Sequence, residues 1–327
     1  MQTALAIFRA LADPTRLRML LLVRAMELSV GELAAVLRQS QPRVSRHVRI
    51  LADAGLLRRY KEGAWVFVRL GDAALTAPVC AALDALMVGD GSVAAADRAR
   101  LTEVRAERVA AANAYFAAHA DQWDDIRSLH IAEDVVEAAM QAALGDRPVG
   151  RLLDIGTGTG RIIELFGTRA ASAVGIDRSP DMLRLARGKL EAAGLADCEV
   201  RQADMYALPR PDGSADTVVL HQVLHYAQTP ALAVAEAARV LSPGGRLLIV
   251  DFAPHAREEL RARHAHARLG FEDAQVCDWM AAAGLAPRVV EHLRGGETQA
   301  LTVTLWLGER PGAAATKPRI QDRKDAA

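Results

Sequence analysis

The sequence predicts an α/β chain of two domains, a small α+β head followed by a larger body built on a mostly parallel sheet. Three observations predict it. Residues 1–70 read as short helices ending in strand, turn and strand, whereas beyond about Ala132 apolar runs alternate with amphipathic helices, the pattern of a parallel sheet. The length of 327 residues exceeds one small domain and leaves each part enough chain to bury a core. Charge divides in the same way. The net charge is zero, yet residues 1–70 hold 12 Lys/Arg against 5 Asp/Glu, and the remainder holds 28 against 35. A basic head on an acidic body points to a polyanion contacting the head.

The head is read element by element. Leu5, Phe8 and Leu11, then Leu17, Leu20 and Leu21, recur at helical spacing, with Asp13-Pro14-Thr15 ending one helix and starting the next. Ser29 is placed to cap a short helix carrying Leu33 and Val36-Leu37. Ser40 is placed to cap another, with Pro42 in a first-turn position that tolerates proline. Leu56–Tyr60, Lys61–Ala64 and Trp65–Val68 read as strand, turn and strand. An apolar helix is expected over 71–88 and a long Ala/Arg/Glu helix over 92–120, so the two domains are joined by helix and not by a flexible linker. The expected division is a head at 1–90, a connector at 91–135, a body at 136–310 and a polar, disordered tail at 311–327.

The segment from Ser40 to Leu51 carries the head's chemistry. Val44, Val48 and Leu51 share one helix face, while Gln41, Arg43, Ser45, Arg46 and Arg49 lie largely on the other. A short helix with a polar face, preceded by another helix, suits insertion in the major groove. Arg can bond guanine edges, Gln can read adenine, and Ser or Lys can hold phosphates. Ser40 and His47 join this candidate set, with Arg59 and Lys61 from the hairpin tip lying along the DNA backbone. An ordinary solvated helix face is the plainer alternative.

Leu11-Ala12-Asp13-Pro14-Thr15-Arg16-Leu17-Arg18, Ser45–Leu51 and Ala54-Gly55-Leu56 together resemble the ArsR-type winged-helix repressors over roughly residues 4–85. The resemblance implies a winged helix-turn-helix fold and a homodimer joined through the first and last helices of the domain. It also implies a double-stranded, pseudo-palindromic operator. Repressors of this type often sense metals through paired cysteines at a helix start. Here Glu27–Leu33 has no Cys, so zinc, cadmium or arsenite sensing is not expected and no metal site is assigned.

In the body, Arg151–Ile155 is an apolar strand running into Gly156-Thr157-Gly158-Thr159-Gly160, where glycines permit a tight turn and close approach of a ligand. A lone glycine-rich loop is a weak signal, shared with dinucleotide enzymes. The following elements sharpen it. Ala173–Asp177 is a second strand ending in a carboxylate able to accept both ribose hydroxyls. Val200–Met205 is a third, ending near Asp204, which suits an adenine amino group. Asp154 stands where its charge can position a cationic methionine portion. Three acidic strand ends favour S-adenosylmethionine (SAM), with S-adenosylhomocysteine as product, over a pyrophosphate cofactor.

Ser179-Pro180-Asp181-Met182-Leu183, Asp216–Tyr226 and Leu241–Asp251 extend the pattern. From about Val109 to Arg310 the chain resembles the class I SAM-dependent methyltransferases, nearest the ubiquinone/menaquinone C-methyltransferases and small-molecule methylases. This implies a Rossmann-like fold with a seven-stranded, mostly parallel sheet, closed by an antiparallel pair over Pro287–His292 and Leu301–Leu307. The expected cofactor set is Asp154, Gly156, Gly158, Gly160, Asp177, Arg178, Met182, Asp204, Met205 and His221. Tyr115, Phe116 and Trp123 either cover the cofactor or pack as core. His221 and His225 follow the fourth strand and are the candidate catalytic residues, against a purely structural role. A helix is expected over His255–Phe271.

Three functions remain open: a DNA-binding regulator with an active methyltransferase on a small organic acceptor, a pure regulator sensing SAM or its product, and an enzyme dimerised by its winged helix. The apolar start is broken by Asp13, Arg16 and Arg18, and no long uncharged apolar window occurs, so neither a signal peptide nor a membrane span is expected. Cys80, Cys198 and Cys277 are too few and too scattered for a disulfide framework, and a cytoplasmic protein is expected.

Overall fold

The structure is a computed structural model and describes residues 2–62, 64–86, 91–119, 132–195, 197–295 and 301–312. Trp123 and most of the expected tail lie outside the described residues.

The head runs α1 (Gln2–Leu11), α2 (Pro14–Ala25), β1 (Leu28–Ser29), α3 (Val30–Leu37), α4 (Gln41–Asp53), β2 (Leu57–Glu62), β3 (Trp65–Leu70) and α5 (Ala73–Leu86). Local chemistry sets the breaks. Asp13 accepts the Arg16 amide at the start of α2, and Ser29 with Glu32 forms a reciprocal capping box on α3. Ser40 occupies the expected capping position of α4, but its side chain makes no capping bond. Val44, Val48 and Leu51 seal α4 onto the buried faces of α2 and α3, with Met19, Leu20, Leu33 and Leu37. The strands order as β1-β3-β2, with Glu62 opposite Trp65 at the hairpin end. Not every helically spaced apolar residue turns inward: Leu5 and Phe8 are exposed, Phe8 by 70%.

Helix α6 (Gly91–His119) follows, spanning about 43 Å at 1.5 Å per residue. Its head end is fastened by buried Asp97, which accepts two bonds from Arg18 of α2, at 2.5 and 2.7 Å.

The body contains α7 (Glu133–Leu144), β4 (Gly150–Ile155), α8 (Arg161–Phe166), β5 (Ala170–Asp177), α9 (Pro180–Ala192), β6 (Glu199–Gln202), β7 (Ala215–His221), α10 (Pro230–Arg239), β8 (Leu241–Phe252), α11 (Glu258–Arg263), α12 (Asp273–Ala282), β9 (Ala286–Arg294) and β10 (Thr302–Glu309). The sheet order is β6-β5-β4-β7-β8-β10-β9. The first five strands are parallel, and β10 lies antiparallel between β8 and β9. This is a Rossmann-like, mostly parallel seven-stranded sheet. One apolar layer packs under α10 and α12 with Trp306 at its centre, and the other under α7 and α8 with Phe166 and Met140. Strand order reverses between β4 and β7, which opens a crevice at the carboxyl ends of the strands.

Two expectations are corrected. The third strand stops at Gln202, because the chain turns at Asp204, whose carboxylate accepts the Tyr206 amide. Only Glu258–Arg263 of the helix expected over 255–271 is helical. Ala265 and Gly270 take left-handed conformations, and a Cβ on Gly270 would stand 2.1 Å from the Ala253 carbonyl oxygen, so the chain folds back along the end of β8. No helix among the described residues is long and apolar enough to cross a membrane.

Candidate functional site

The crevice is a cleft of about 1040 Å³, its open mouth included, and its base is the turn after β4. Gly156 takes φ +75°, and a Cβ there would lie 2.3 Å from Val223, so no other residue fits without moving that neighbour. The amides of Gly156 and Thr157 donate to the Ile176 carbonyl at 2.8 and 2.9 Å, which holds the turn to β5. Gly158 donates to Asp177 Oδ2 at 2.9 Å, and Ser179 donates to Asp177 Oδ1 at 2.8 Å. Asp177 therefore organises the turn while retaining lone pairs toward the cleft. Protein surrounds this carboxyl on nearly all sides although part of its surface remains open. Burial pushes it above the usual carboxylate range, against the pull of the backbone amides and Arg178.

The cleft gathers Gly156, Gly158, Asp177, Arg178, Met182, Asp204, Met205 and His221 from the expected cofactor set. Two members lie apart. Asp154 is buried near the end of β4 beneath the turn, and Gly160 starts α8, where a Cβ would crowd Ala186 at 3.3 Å. Gly160 thus serves helix packing and does not line the cleft. Arg178 and Asp204 are loosely paired at 4.0 Å and are partly exposed, so this pair adds little stability.

The two candidate histidines separate as well. His221 ends β7 and lines the cleft. His225 sits behind the wall: its Nδ1 meets Asp251 Oδ1 at 2.8 Å in a dry pair, and its ring packs on Tyr226, Phe252 and His266. Tyr226 lines the cleft in its place, with its phenol raised well above its ordinary value by burial. Phe116 of α6 crosses Tyr226 edge to face at 4.8 Å and lines the cleft. Tyr115 turns aside and shares a 2.7 Å hydrogen bond with His264 Nδ1.

The sequence reading missed Tyr206, Gln222, Tyr226 and Gln228. Tyr226 stands at the end of the motif Asp216–Tyr226, in a short turn after β7, so its place in the motif was the only signal for it. Gln222 carries a different signal, a φ of +49° at a non-glycine residue beside the cleft, which is visible only in three dimensions. The Tyr206 hydroxyl accepts the amides of Gln228 and Thr229 at 2.7 and 3.1 Å and so ties the floor to the loop after β7.

On the head, α4 presents Gln41, Arg43, Arg46 and Arg49 to solvent, beside exposed Ser40 and with exposed Arg59 and Lys61 on β2. No carboxylate pairs with Arg43, Arg46 or Arg49 among the described residues. Ser45 is half-buried. His47 is drawn toward Asp13, Nδ1 to Oδ1 3.9 Å, and burial lowers its pKa, so it leans into the domain and away from the exposed face.

Comparison with known proteins finds a separate family match in the head and in the body. Residues 13–59 match the arsR family of bacterial regulatory proteins, and residues 153–249 match a methyltransferase domain family. A demethylmenaquinone methyltransferase of Thermus thermophilus is 43% identical over 120 residues, 36% of this chain and 53% of that one. A ubiquinone/menaquinone biosynthesis C-methyltransferase of Teredinibacter turnerae is 34% identical over 152 residues, 45% of this chain and 61% of that one. The arsenic resistance transcriptional regulator ArsR1 of Pseudomonas putida is 49% identical over 65 residues, 20% of this chain and 51% of that one. The chain spans about half the length of these curated relatives.

Proposed function

We propose that this chain, which joins an arsR-family regulator domain to a SAM-dependent methyltransferase domain, is a DNA-binding transcriptional regulator whose body methylates a small organic acceptor. One observation carries the reading of the body. Carboxylates at Asp177 and Asp204 flank a glycine turn on a cleft that combines apolar side chains such as Ile155, Ile176 and Met182 with neutral polar ones such as Thr157, Gln222 and Gln228, and Arg178 is its only Lys or Arg among the described residues.

That donor set fits an adenosine linked to a cationic amino acid and not a pyrophosphate. Asp177 would accept the ribose hydroxyls, Asp204 would face the adenine edge, and Met182, Met205 and Ile176 would pack on its ring. Asp154 would add negative charge beneath the methionine end. When bound, SAM supplies an electrophilic methyl group that transfers by in-line displacement. The protein's own part is alignment and exclusion of water. Phe116 and Tyr226 would wall the acceptor end, and His221 would take a proton if the acceptor must lose one, a reading supported by their place on the cleft lining.

For the head, the unpaired guanidiniums of α4 support an operator in the major groove, with Arg59 and Lys61 on the DNA backbone. Exposed Leu5 and Phe8 on α1 and Leu86 at the end of α5 support a homodimer through the first and last helices of the head. The proposed division is head 1–90, connector 91–135 and body 136–310, in a cytoplasmic protein. A second reading, in which the body senses SAM or its product without turning over, is favoured by the packing of the head's hairpin against the body at Arg268.

The test has three arms: calorimetry with S-adenosylhomocysteine, a footprint on the protein's own upstream DNA, and transfer of labelled methyl to a panel of small acceptors. Micromolar binding with a footprint and transfer supports the regulator–enzyme reading. Binding and a footprint without transfer favour the sensor. Absence of nucleoside binding sinks both.

A further inference from the structure

The loop that closes the cleft is also the surface on which the head's hairpin rests. Tyr226 and Gln228 face the cleft. From the same loop, the His225 carbonyl accepts the amides of Ala267 and Arg268, each at 2.9 Å, and the Gln228 carbonyl accepts Arg268 Nη2 at 3.0 Å. The other half of that guanidinium belongs to the head. Nη1 donates to Glu27 Oε1 at 2.6 Å and to the Tyr60 hydroxyl at 3.0 Å, and the group lies 4.8 Å from the Phe67 ring centre. Glu27 precedes β1, Tyr60 is on β2 and Phe67 is on β3. The Arg268 side chain is 4% exposed.

A buried cation that loses one partner pays a heavy desolvation cost, so its partners are mechanically tied to one another. A displacement of the Gln228 carbonyl would thus be transmitted through Arg268 to Tyr60, one residue from Arg59 and Lys61. Further contacts continue to the hairpin tip. The Ala64 amide donates to Glu258, and the Arg261 guanidinium stacks 5.6 Å from the Trp65 ring centre. A carboxylate therefore holds the turn amide that a DNA phosphate would otherwise approach. The docked hairpin leaves Arg59 and Lys61 exposed, but with its turn amide engaged by Glu258 it would offer a phosphate one donor fewer and a nearby negative charge.

We propose that Arg268 couples the cleft to the hairpin: a nucleoside ligand that braces the loop 224–229 also braces the docked hairpin, and so weakens DNA binding. This rests on the nucleoside and DNA readings above and adds their linkage. Linkage is reciprocal, so DNA must weaken ligand binding by the same factor. Arg268 acts here as a positioning residue. Helix α6, anchored at Asp97 and reaching Phe116, keeps the two domains joined when Arg268 is altered.

The experiment measures affinity of the full chain for its own upstream duplex by fluorescence anisotropy, with and without saturating S-adenosylhomocysteine. Wild type should lose about 5- to 100-fold in DNA affinity, within the ordinary span of allosteric coupling. Arg268→Gln paired with Glu27→Gln, so that no lone charge stays buried, should bind each ligand alone yet shift less than twofold. Tyr60→Phe, which removes one bond and preserves the packing, should give an intermediate shift, and thermal melting verifies that both variants fold. Unchanged or tightened DNA affinity in wild type overturns the proposal, as does full coupling in the paired variant. Failure of wild type to bind S-adenosylhomocysteine at all sinks the nucleoside reading instead.

Discussion

The reader helix of the head and the glycine turn of the body approach recognition from opposite sides. On α4 the candidate groups are long cationic side chains on a convex, solvated surface, held in register by three apolar residues beneath. In the body they are short carboxylates and backbone turns on a concave wall, each already fixed by other hydrogen bonds. The first arrangement suits a large polyanion, whose many phosphates tolerate mobile partners. The second suits a small molecule, where a displacement of a fraction of an ångström removes a contact. Substitutions should therefore act broadly on the body, through its shape, and in separable increments on the head.

The largest expected effect tests that rigidity. Asp177→Ala removes the acceptor and releases the amides of Gly158 and Ser179 together, and S-adenosylhomocysteine affinity should fall at least about 100-fold, as two charge-assisted hydrogen bonds would account for. Calorimetry checks it, and a loss under threefold would remove Asp177 from the site. Gly156→Ala comes next. Its left-handed φ and the clash with Val223 should cost about 2–4 kcal/mol in denaturant unfolding. A wild-type midpoint would mean that the turn relaxes freely.

On the head the steps are smaller. Arg43→Ala and Arg46→Ala should each weaken operator binding by roughly 1–3 kcal/mol while leaving nucleoside affinity intact. Lys61→Ala should weaken binding evenly across sequences and reduce the salt slope by about 1. A slope unchanged in that variant would detach the hairpin from the DNA backbone. The subtlest comparison is one of pH. The Asp177 carboxyl is held above its ordinary range, and only its ionised form offers all its lone pairs to ribose hydroxyls. Nucleoside affinity should thus fall as pH drops through that raised value, and Asp177→Asn should flatten the profile. A profile of equal slope in both proteins would assign the titration to another group.

Much of this comparison was legible in the chain. Alternation and caps placed α3, α4 and the hairpin, and the run of apolar strand, glycine turn and acidic tip placed most of the cleft. Those signals are local: a cap spans three residues, and a strand end sits beside its turn. What was misread depended on partners distant in sequence. Gly160 belongs to the motif but packs on α9. His225 follows β7 as His221 does, yet Asp251 draws it out of the cleft. Leu5 and Phe8 keep the period of a buried face that the described residues of the single chain do not cover.

The sequence by itself determined the two element patterns, the basic and acidic halves, and the residue types able to meet a polyanion or a nucleoside, because each is written in short-range spacing. Only the tertiary structure decided which aromatic rings wall the cleft and that Arg268 joins it to Glu27 and Tyr60, residues 241 and 208 positions away. Such a bridge leaves no periodic trace. It exists because folding removes one guanidinium from water and obliges two separate domains to supply its partners.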